Sequence, residues 1–258
     1  MTRALTVAAN TVREAVRDRL LYNLVVFAVL LTAGSLTISQ LTLGDQWRII
    51  ADIGTASAQV FGTLIAVFLG VGLVARELDR RTSYALLARP LSRAEFVIGK
   101  YLGLMATLAL NIGVMAVATA AVLAAHRGDL GFLGGAFVAV YALLLVQLAI
   151  CGAFAVLFAS YSTATLATIF TLALVAAGHV FGEVRGFWLA APEVELKQLV
   201  RVLDVVLPNL RLLDIKEVIT YGDPVTAASV LWRAAYGVGY AGVVLALAAL
   251  VFSRKDVR

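Results

Sequence analysis

His179 and Glu183 are the two side chains whose spacing comes closest to that of a metal site, because residues four apart share one face of a helix. The HExxH pair of metalloproteases is absent, and the only other histidine, His126, falls in a different predicted turn. We therefore predict an interfacial polar pair and no metal. Asn111 and Gln147 are the notable polar residues within apolar segments, and we expect them to hydrogen-bond neighbouring helices.

Gly237, Gly239 and Gly242 match the dinucleotide-binding fingerprint GxGxxG. That fingerprint binds pyrophosphate where a strand leads into the start of a helix, whereas these glycines lie inside a long apolar segment. We interpret them as sites of close helix packing. Two glycine pairs receive the same interpretation: Gly99 with Gly103, and Gly178 with Gly182. The sequence also lacks a GxxxxGK[ST] phosphate loop, so no ATP or other cofactor is expected on this chain.

The composition is that of a membrane protein. Hydrophobic residues make up 62% of the 258 residues and charged residues only 14%, with a mean hydropathy of +0.94. A soluble domain normally carries about a quarter charged residues. The net charge of +5 does not indicate nucleic-acid binding, because no basic face with interleaved aromatic residues is present. Cys151 is the single cysteine, which excludes a disulfide framework within one chain.

Six segments are apolar and long enough to cross a bilayer, which takes about 20 residues per helix. None of them contains Asp, Glu, Lys or Arg, so neither an acid pair nor an ion-coupling charge is predicted inside the membrane. The predicted spans are Leu21–Leu43, Thr55–Ala75, Tyr101–Ala125, Phe132–Phe158, Ser162–Phe181 and Ala234–Phe252. The fourth and fifth are so close in sequence that we expect a tight helical hairpin.

Residues 1–20 carry apolar side chains at helical spacing, with charged residues largely on the other side. The apolar stripe consists of Leu5, Ala8, Ala9, Val12, Val16 and Leu20. This pattern predicts an amphipathic helix in the membrane interface. The alternative is a cleaved signal peptide, but the apolar stretch that follows is too long for an h-region, and no small-residue cleavage site follows it closely.

The basic residues are distributed unequally between the two sides that six spans create. Thirteen of the 21 Lys and Arg residues fall in the N-terminal helix, in segment 76–100 and in the C-terminal tail. Basic residues concentrate in the cytosolic loops of membrane proteins, so both termini and segment 76–100 are predicted to be cytosolic. An even number of spans agrees with this assignment.

Segment 76–100 has local structure of its own between the second and third spans. Residues 82–88 can form a short helix that Pro90 ends, and Ser92 with Glu95 forms a capping box that starts the next helix. A short helix held between two spans is well placed to press against another protein. We therefore expect this cytosolic loop to receive energy from a partner.

Segment 183–233 is the only long extramembrane segment predicted on the outer side. Pro192 begins and Pro208 ends an amphipathic helix, and a second short helix is predicted around Leu212–Tyr221. The apolar stripe of the first consists of Leu196, Leu199, Val200, Leu203, Val206 and Leu207. Burial of one Leu or Val is worth about 1.5–3 kcal/mol, so we expect the stripe to lie against the outer leaflet, the span ends or a partner.

Several short motifs lie between and beyond the predicted spans. They are Arg76-Glu77-Leu78-Asp79-Arg80-Arg81-Thr82, Leu86-Leu87, Arg89-Pro90-Leu91-Ser92-Arg93, Gly99-Lys100, Leu207-Pro208-Asn209, Tyr221-Gly222 and Phe252-Ser-Arg-Lys-Asp256. With them the chain resembles the permease subunits of ATP-binding-cassette (ABC) transporters of the type-2 exporter (ABC-2) family. It is most similar to the permeases of nitrous-oxide-reductase maturation and of gliding motility, and the resemblance covers essentially the whole chain.

The resemblance implies an all-α integral membrane protein with a single permease domain over residues 1–258. Six transmembrane helices would be joined by an interfacial helix at 1–20, a cytosolic coupling helix within loop 76–100, and re-entrant outer helices within 183–233. The implied partners are a second permease copy, identical or related, and separate ABC ATPase subunits that bind ATP and Mg²⁺. The chain itself would be no ATPase and would reside in a bacterial-type cytoplasmic (inner) membrane.

The resemblance also implies roles for particular residues. Coupling to the ATPase would fall to Glu77, Arg80, Arg81, Thr82, Tyr84, Leu86 and Leu87. An outer gate would be formed by Leu196, Leu199 and Leu203. For the arginines, setting the orientation of the chain is the alternative role. For the whole chain, the alternative function is a non-transporting membrane anchor or scaffold that assembles other proteins.

Overall fold

The fold is entirely helical within the part of the chain that the structure describes. The computed structural model describes residues 2–40, 45–79, 93–190, 207–221 and 225–254, together with Gln198, Val200 and Leu203. Six of its helices are long and apolar enough to cross a membrane. The predicted all-α architecture with six spans is therefore confirmed, and the chain is a multi-pass membrane protein.

The helices are numbered in chain order. They are α1 Thr2–Val16, α2 Arg19–Ser39, α3 Gln46–Asp79, α4 Arg93–Arg127, α5 Gly135–Tyr161, α6 Ala164–Ala190, α7 Glu217–Tyr221 and α8 Ala227–Arg254, with a 3₁₀ turn at Leu210–Leu212. Helices α3 and α4 extend well beyond the spans predicted from apolar residues alone. At a rise of 1.5 Å per residue each is about 50 Å long, so both project past a hydrocarbon core about 30 Å thick.

The bundle has two distinguishable ends, because consecutive spans run in opposite directions. The hairpin end carries the turn between α5 and α6, the start of α2, the end of α3 and the start of α4. The segment end carries the chain between α6 and α8. The hairpin is as tight as predicted, since the N–H of Ser162 donates to the carbonyl of Phe158 and α6 begins at Ala164.

Helix α5 is the centre of the bundle and packs against α3, α4, α6 and α8. Most of its side chains are buried, because it carries no charged residue and is apolar on all sides. Glycines bring its neighbours close. A Cβ at Gly152 would lie 2.9 Å from Leu104 of α4, and one at Gly70 of α3 would lie 2.8 Å from the Cβ of Ala155.

Helix α1 confirms that a helix precedes the first span, although it ends at Val16 rather than near residue 20. It packs along the first turns of α4. The contact face is not centred on the predicted apolar stripe, because it includes Thr11, which is outside the stripe, together with the carbonyl of Ala8 at the stripe's edge. A Cβ at Gly103 would lie only 2.5 Å from the Cβ of Thr11, which confirms the packing role of this glycine. The position of α1 in the membrane interface stays a prediction.

Candidate functional site

Four polar side chains meet inside the bundle, and we call them the polar cluster. They are Gln59 of α3, Gln147 of α5, His179 of α6 and Asp214 of the chain between α6 and α8. The Nε2 atom of His179 lies 3.0 Å from Nε2 of Gln59 and 3.1 Å from Nε2 of Gln147. Nε2 of Gln59 also lies 3.4 Å from Oδ2 of Asp214. Three spans and a connecting segment therefore share one hydrogen-bonded group.

The carboxylate of Asp214 fixes the direction of the hydrogen bonds in the polar cluster. Oδ2 of Asp214 accepts a hydrogen bond from the NH₂ group of Gln59, and the same NH₂ group donates to His179. The ring Nε2 is then an acceptor, and the ring Nδ1–H donates to the carbonyl of Val175 at 2.9 Å. Gln147 donates its own NH₂ group to the same Nε2 atom. Every contact pairs a donor with an acceptor when the imidazole is neutral and protonated on Nδ1.

The polar cluster lies far from the hairpin end of the bundle. At 1.5 Å per residue, Gln147 is about 21 Å from the hairpin end of α5, and His179 is about 22 Å from the hairpin end of α6. In a hydrocarbon core about 30 Å thick that begins at the hairpin, both residues would lie about two thirds of the way across. Asp214 reaches the same depth, since it contacts Gln59 directly. Polar groups at this depth are costly unless they are hydrogen-bonded, which accounts for their convergence.

Residues 207–221, which we call the docked segment, enter the bundle against α6. A Cβ at Gly178 would lie 2.8 Å from the carbonyl oxygen of Pro208, and one at Gly182 would lie 2.6 Å from the Cβ of Arg211. The two glycines thus leave room for the backbone of the docked segment. Their predicted role in close packing is confirmed, although the element that approaches them is not another span.

Helix α8 holds the docked segment from its other side. The N–H of Asn209 donates to the hydroxyl oxygen of Tyr236 at 3.0 Å, and the guanidinium of Arg233 donates to the carbonyl of Leu212 at 2.9 Å. Backbone groups that leave a helix within a membrane must find partners in the protein. These two side chains of α8 supply such partners, so the docked segment can lie below the segment end without exposing its backbone to lipid.

The docked segment is also stabilised by its own side chains. Oδ1 of Asn209 accepts the N–H of Leu212 and so caps the 3₁₀ turn, and Arg211 forms an ion pair with Glu217 at 2.8 Å. Nζ of Lys216 lies 3.8 Å from Oδ2 of Asp214. Its buried apolar side chains are Leu210, Leu213, Ile215 and Ile219. In place of the one helix predicted around Leu212–Tyr221, the structure has a 3₁₀ turn and the short helix α7, and re-entry of this element into the membrane stays a prediction.

The prediction that the three glycines of α8 are sites of close helix packing is confirmed for one of them and wrong for two. Gly237 does allow close contact, since a Cβ there would lie 3.2 Å from Leu213. The interpretation is wrong for Gly239 and Gly242, where a Cβ would meet no atom within 4 Å. Gly239 instead lines an apolar cleft of about 610 Å³ between α5 and α8.

The prediction that two polar residues hydrogen-bond neighbouring helices is also confirmed for one residue and wrong for the other. Gln147 does so, through His179. The prediction for Asn111 is wrong, because its Nδ2 donates to the carbonyl of Thr107 one turn earlier in the same helix. The side chain of Glu183 lies outside the described residues, and the two amides are the partners that the structure gives to Nε2 of His179.

The predicted coupling and gate residues lie mostly outside the described part of the chain. Glu77 belongs to the last turn of α3 at the hairpin end. The predicted coupling residues that lie outside the described part of the chain are Arg80, Arg81, Thr82, Tyr84, Leu86 and Leu87. Of the predicted gate, Leu203 is helical and half-buried, whereas Leu196 and Leu199 lie outside the described residues.

Gln59 and Asp214 are the members of the polar cluster that the sequence analysis did not identify. A signal existed for Gln59, which is the single amide residue in the predicted second span. No signal existed for Asp214, since a charged residue in an amphipathic connecting segment is expected to face water. Among the described residues, no group of three His, Cys, Asp or Glu side chains is placed to hold a metal ion. The chemistry available to the polar cluster is the exchange of hydrogen bonds.

The comparison with known families agrees with this architecture. A family model described as "ABC-2 family transporter protein" matches residues 5–257, which include all six spans and the docked segment. The model does not distinguish nitrous-oxide-reductase or gliding permeases within the family. No curated protein matches the chain significantly. With a match over nearly its whole length, the chain belongs to the ABC-2 family and is the membrane component, the permease, of an ABC transporter.

Proposed function

We propose that this permease is the membrane-spanning subunit of an ATP-driven exporter in a bacterial-type cytoplasmic membrane. It would assemble with a second permease copy and two ABC ATPase subunits, and both termini would be cytosolic. The observation that best supports export is the docked segment, which packs among the spans near one end of the bundle and is held there by exchangeable hydrogen bonds. A closure at one end and an energy input at the other suit a pathway that opens outward when the ATPase acts.

Helix α3 provides a mechanical connection between those two ends. It runs unbroken from Gln46 to Asp79, so Glu77 beside the coupling loop and Gln59 in the polar cluster lie about 27 Å apart on one rigid element. His179 belongs to α6, which does not adjoin the coupling loop in sequence. A displacement of the loop would therefore shift Gln59 relative to His179, and with it the hydrogen bond that holds Asp214.

In this proposal the two ends have separate tasks. The coupling loop contacts the ATPase through the charged and apolar residues assigned above, Glu77, Arg80 and Arg81 foremost. The docked segment, together with the stripe of Leu196, Leu199 and Leu203, closes the pathway at the outer side. The complete burial of Val200 within that stripe supports a packed position for it rather than a solvated one.

A thiol-accessibility experiment tests the proposal. Ile215 is buried in the docked segment and Glu217 is exposed two residues later, so they form a matched pair. Each is changed to cysteine in a Cys151→Ala background, and the permease is reconstituted with an ABC ATPase subunit that co-purifies with it. An impermeant thiol reagent is applied from the outer side. We expect ATP to increase labelling of Ile215→Cys several-fold and to leave Glu217→Cys unchanged.

Further variants separate the exporter from the scaffold. Arg80→Glu with Arg81→Glu should abolish the ATP effect on Ile215→Cys, whereas Arg254→Glu with Lys255→Glu, the same change of charge in the C-terminal tail, should preserve it. If the ATPase binds and hydrolyses ATP but labelling never changes and no solute moves, the chain is a scaffold. If labelling of both cysteines rises equally, the segment unfolds instead of opening, and the gate assignment is wrong.

A further inference from the structure

Helix α1 has three different faces around its circumference. The first is formed by small side chains, Ala8, Thr11 and Ala15, of which Thr11 and Ala15 are almost fully buried. The second is the remainder of the apolar stripe, where Leu5 is 61% exposed and Ala9 is also exposed. Val12 and Val16 of the stripe are half-buried, so the part of it that the described bundle leaves uncovered is around Leu5 and Ala9.

The third face is basic and adjoins the apolar stripe. Arg13 lies four residues after Ala9 and so about 40° from it around the helix, and Arg17, one residue past the end of α1, continues that side. Both arginines are exposed. Within the described residues, neither guanidinium has an ion-pair partner. Residues 2–19 contain four arginines against Glu14 and Asp18, so this region carries a net charge of +2.

An ion pair places these arginines at the membrane boundary. Nζ of Lys100 lies 3.6 Å from Oε2 of Glu14, which is the neighbour of Arg13 in sequence. Lys100 is the last charged residue before the uncharged stretch of α4, and the next is Arg127. The level of Lys100 therefore marks where headgroups give way to hydrocarbon. Arg13 and Arg17 lie at that level beside an apolar surface.

We propose that Arg13 and Arg17 bind the phosphate of an anionic phospholipid, whose acyl chains cover the exposed stripe around Leu5 and Ala9. A basic pair bordering an apolar stripe at the headgroup level matches both parts of a phospholipid. A soluble acidic partner would match the guanidinium groups but would leave the stripe uncovered. The proposal does not depend on export, because it concerns only the helix and the lipid around it.

The lipid would act on the start of α4. Glu14 holds Lys100, the Lys100 ammonium lies 5.7 Å from the centre of the Phe96 ring, and Phe96 stacks on Phe252 of α8. Helix α4 begins at Arg93, immediately after the coupling loop. A phospholipid that fixes α1 thereby fixes the helix that leads out of that loop.

A local quenching experiment tests the lipid site on the full-length chain. Asn10, which is exposed near the two arginines, is changed to cysteine in a Cys151→Ala background and labelled with a fluorophore. The protein is reconstituted into phosphatidylcholine vesicles that contain a small fraction of nitroxide-labelled lipid, with either a phosphatidylglycerol or a phosphatidylcholine headgroup. The ratio of quenching by the two labelled lipids measures the local enrichment of the anionic one.

We expect strong enrichment of phosphatidylglycerol in the parent protein. Each arginine near an anionic headgroup should increase the local enrichment of the anionic lipid about fivefold. The change Arg13→Gln with Arg17→Gln should therefore lower that enrichment by up to about 25-fold. The matched variant Arg13→Lys with Arg17→Lys keeps the charge and should retain most of it. If the double glutamine variant fails to insert, the single variant Arg17→Gln replaces it in the test. Because Arg17 lies outside α1, this variant should insert and show the fivefold loss of enrichment.

Unchanged enrichment in an inserted glutamine variant would overturn the proposal. If that variant keeps its enrichment but loses capture of the ATPase subunit, the arginines bind a protein and not a lipid. If the parent shows no preference between the two headgroups, the site binds no phosphate group, and the exposed stripe contacts bulk lipid only.

Discussion

The polar cluster makes a quantitative prediction through His179. Replacing it with leucine keeps a similar volume but removes the acceptor that serves both Gln59 and Gln147. Gln59 retains the carboxylate of Asp214 as a partner. Gln147 is only 1% exposed, so its NH₂ group is left buried with no acceptor at its present position.

The expected cost follows from these two different losses. A side-chain hydrogen bond between membrane helices contributes about 0.6 kcal/mol on average and about 1.7 kcal/mol at most. A buried donor left without a partner costs about 1–3 kcal/mol. We therefore expect His179→Leu to destabilise the protein by about 2–4 kcal/mol. Gln147→Leu alone should cost about 1–2 kcal/mol, because Gln59 continues to satisfy the imidazole.

A double-mutant cycle isolates the interaction. Once Gln147 is leucine, His179→Leu no longer leaves a buried amide without an acceptor. The double variant should therefore lose about 1–2 kcal/mol less unfolding free energy than the sum of the single variants. Equilibrium unfolding of the purified permease in mixed detergent micelles gives the three free energies. The control cycle combines His179→Leu with Tyr141→Phe. This change removes a hydroxyl of α5 that donates to Thr119 of α4, away from the polar cluster. Distant sites without shared partners should be additive within about 0.5 kcal/mol.

The cycle can refute the reasoning in two ways. Additivity between His179→Leu and Gln147→Leu would show that the two side chains do not interact in the folded protein. Equal coupling in the control cycle would show that the assay reports general loosening of α5. Either result would remove the evidence for a stabilising hydrogen bond between Gln147 of α5 and His179 of α6.

Three further predictions concern packing, capping and topology. Gly178→Leu should displace the docked segment and increase its proteolysis, because the new Cβ would meet a backbone carbonyl at 2.8 Å, whereas Gly186→Ala meets nothing within 4 Å and should be neutral. Tyr236→Phe removes the acceptor of one docked N–H and should lower stability by about 1–3 kcal/mol, measured by thermal unfolding in detergent. Single cysteines at Ser83 and Gln198 in a Cys151→Ala background should show opposite accessibility in intact cells: an impermeant reagent should label the second only, and the reverse result would invert the predicted orientation.

The spans were predictable because each segment's own apolar, uncharged composition makes it compatible with hydrocarbon, whatever its neighbours are. An uncharged run such as Phe132–Phe158 needs no knowledge of its neighbours to be recognised, and α5 occupies most of that range. Helix bounds were less predictable. Helix α3 begins at Gln46, well before the predicted Thr55, because Arg48 and Asp52 can be accommodated in a helix that projects beyond the hydrocarbon core.

The polar cluster was not predictable, since it depends on which faces of distant elements meet. Residues 59, 147, 179 and 214 have no common spacing, and each alone is an ordinary polar residue. The depth of Asp214 follows only from tertiary contacts with Gln59 and from the room left by Gly178. In the same way, Asn111 bonds its own helix because Thr107 offers the nearest carbonyl, a local choice that composition does not reveal.

The contacts of the docked segment with α8 impose an order on biogenesis. A ribosome synthesises residues 207–221 before Arg233 and Tyr236, yet those two side chains supply partners to the backbone of the segment. Until α8 has entered the bilayer, the segment lacks these partners and is excluded from hydrocarbon by its unpaired peptide groups. Insertion of α8 therefore has to precede the docking of residues 207–221, although those residues are synthesised first.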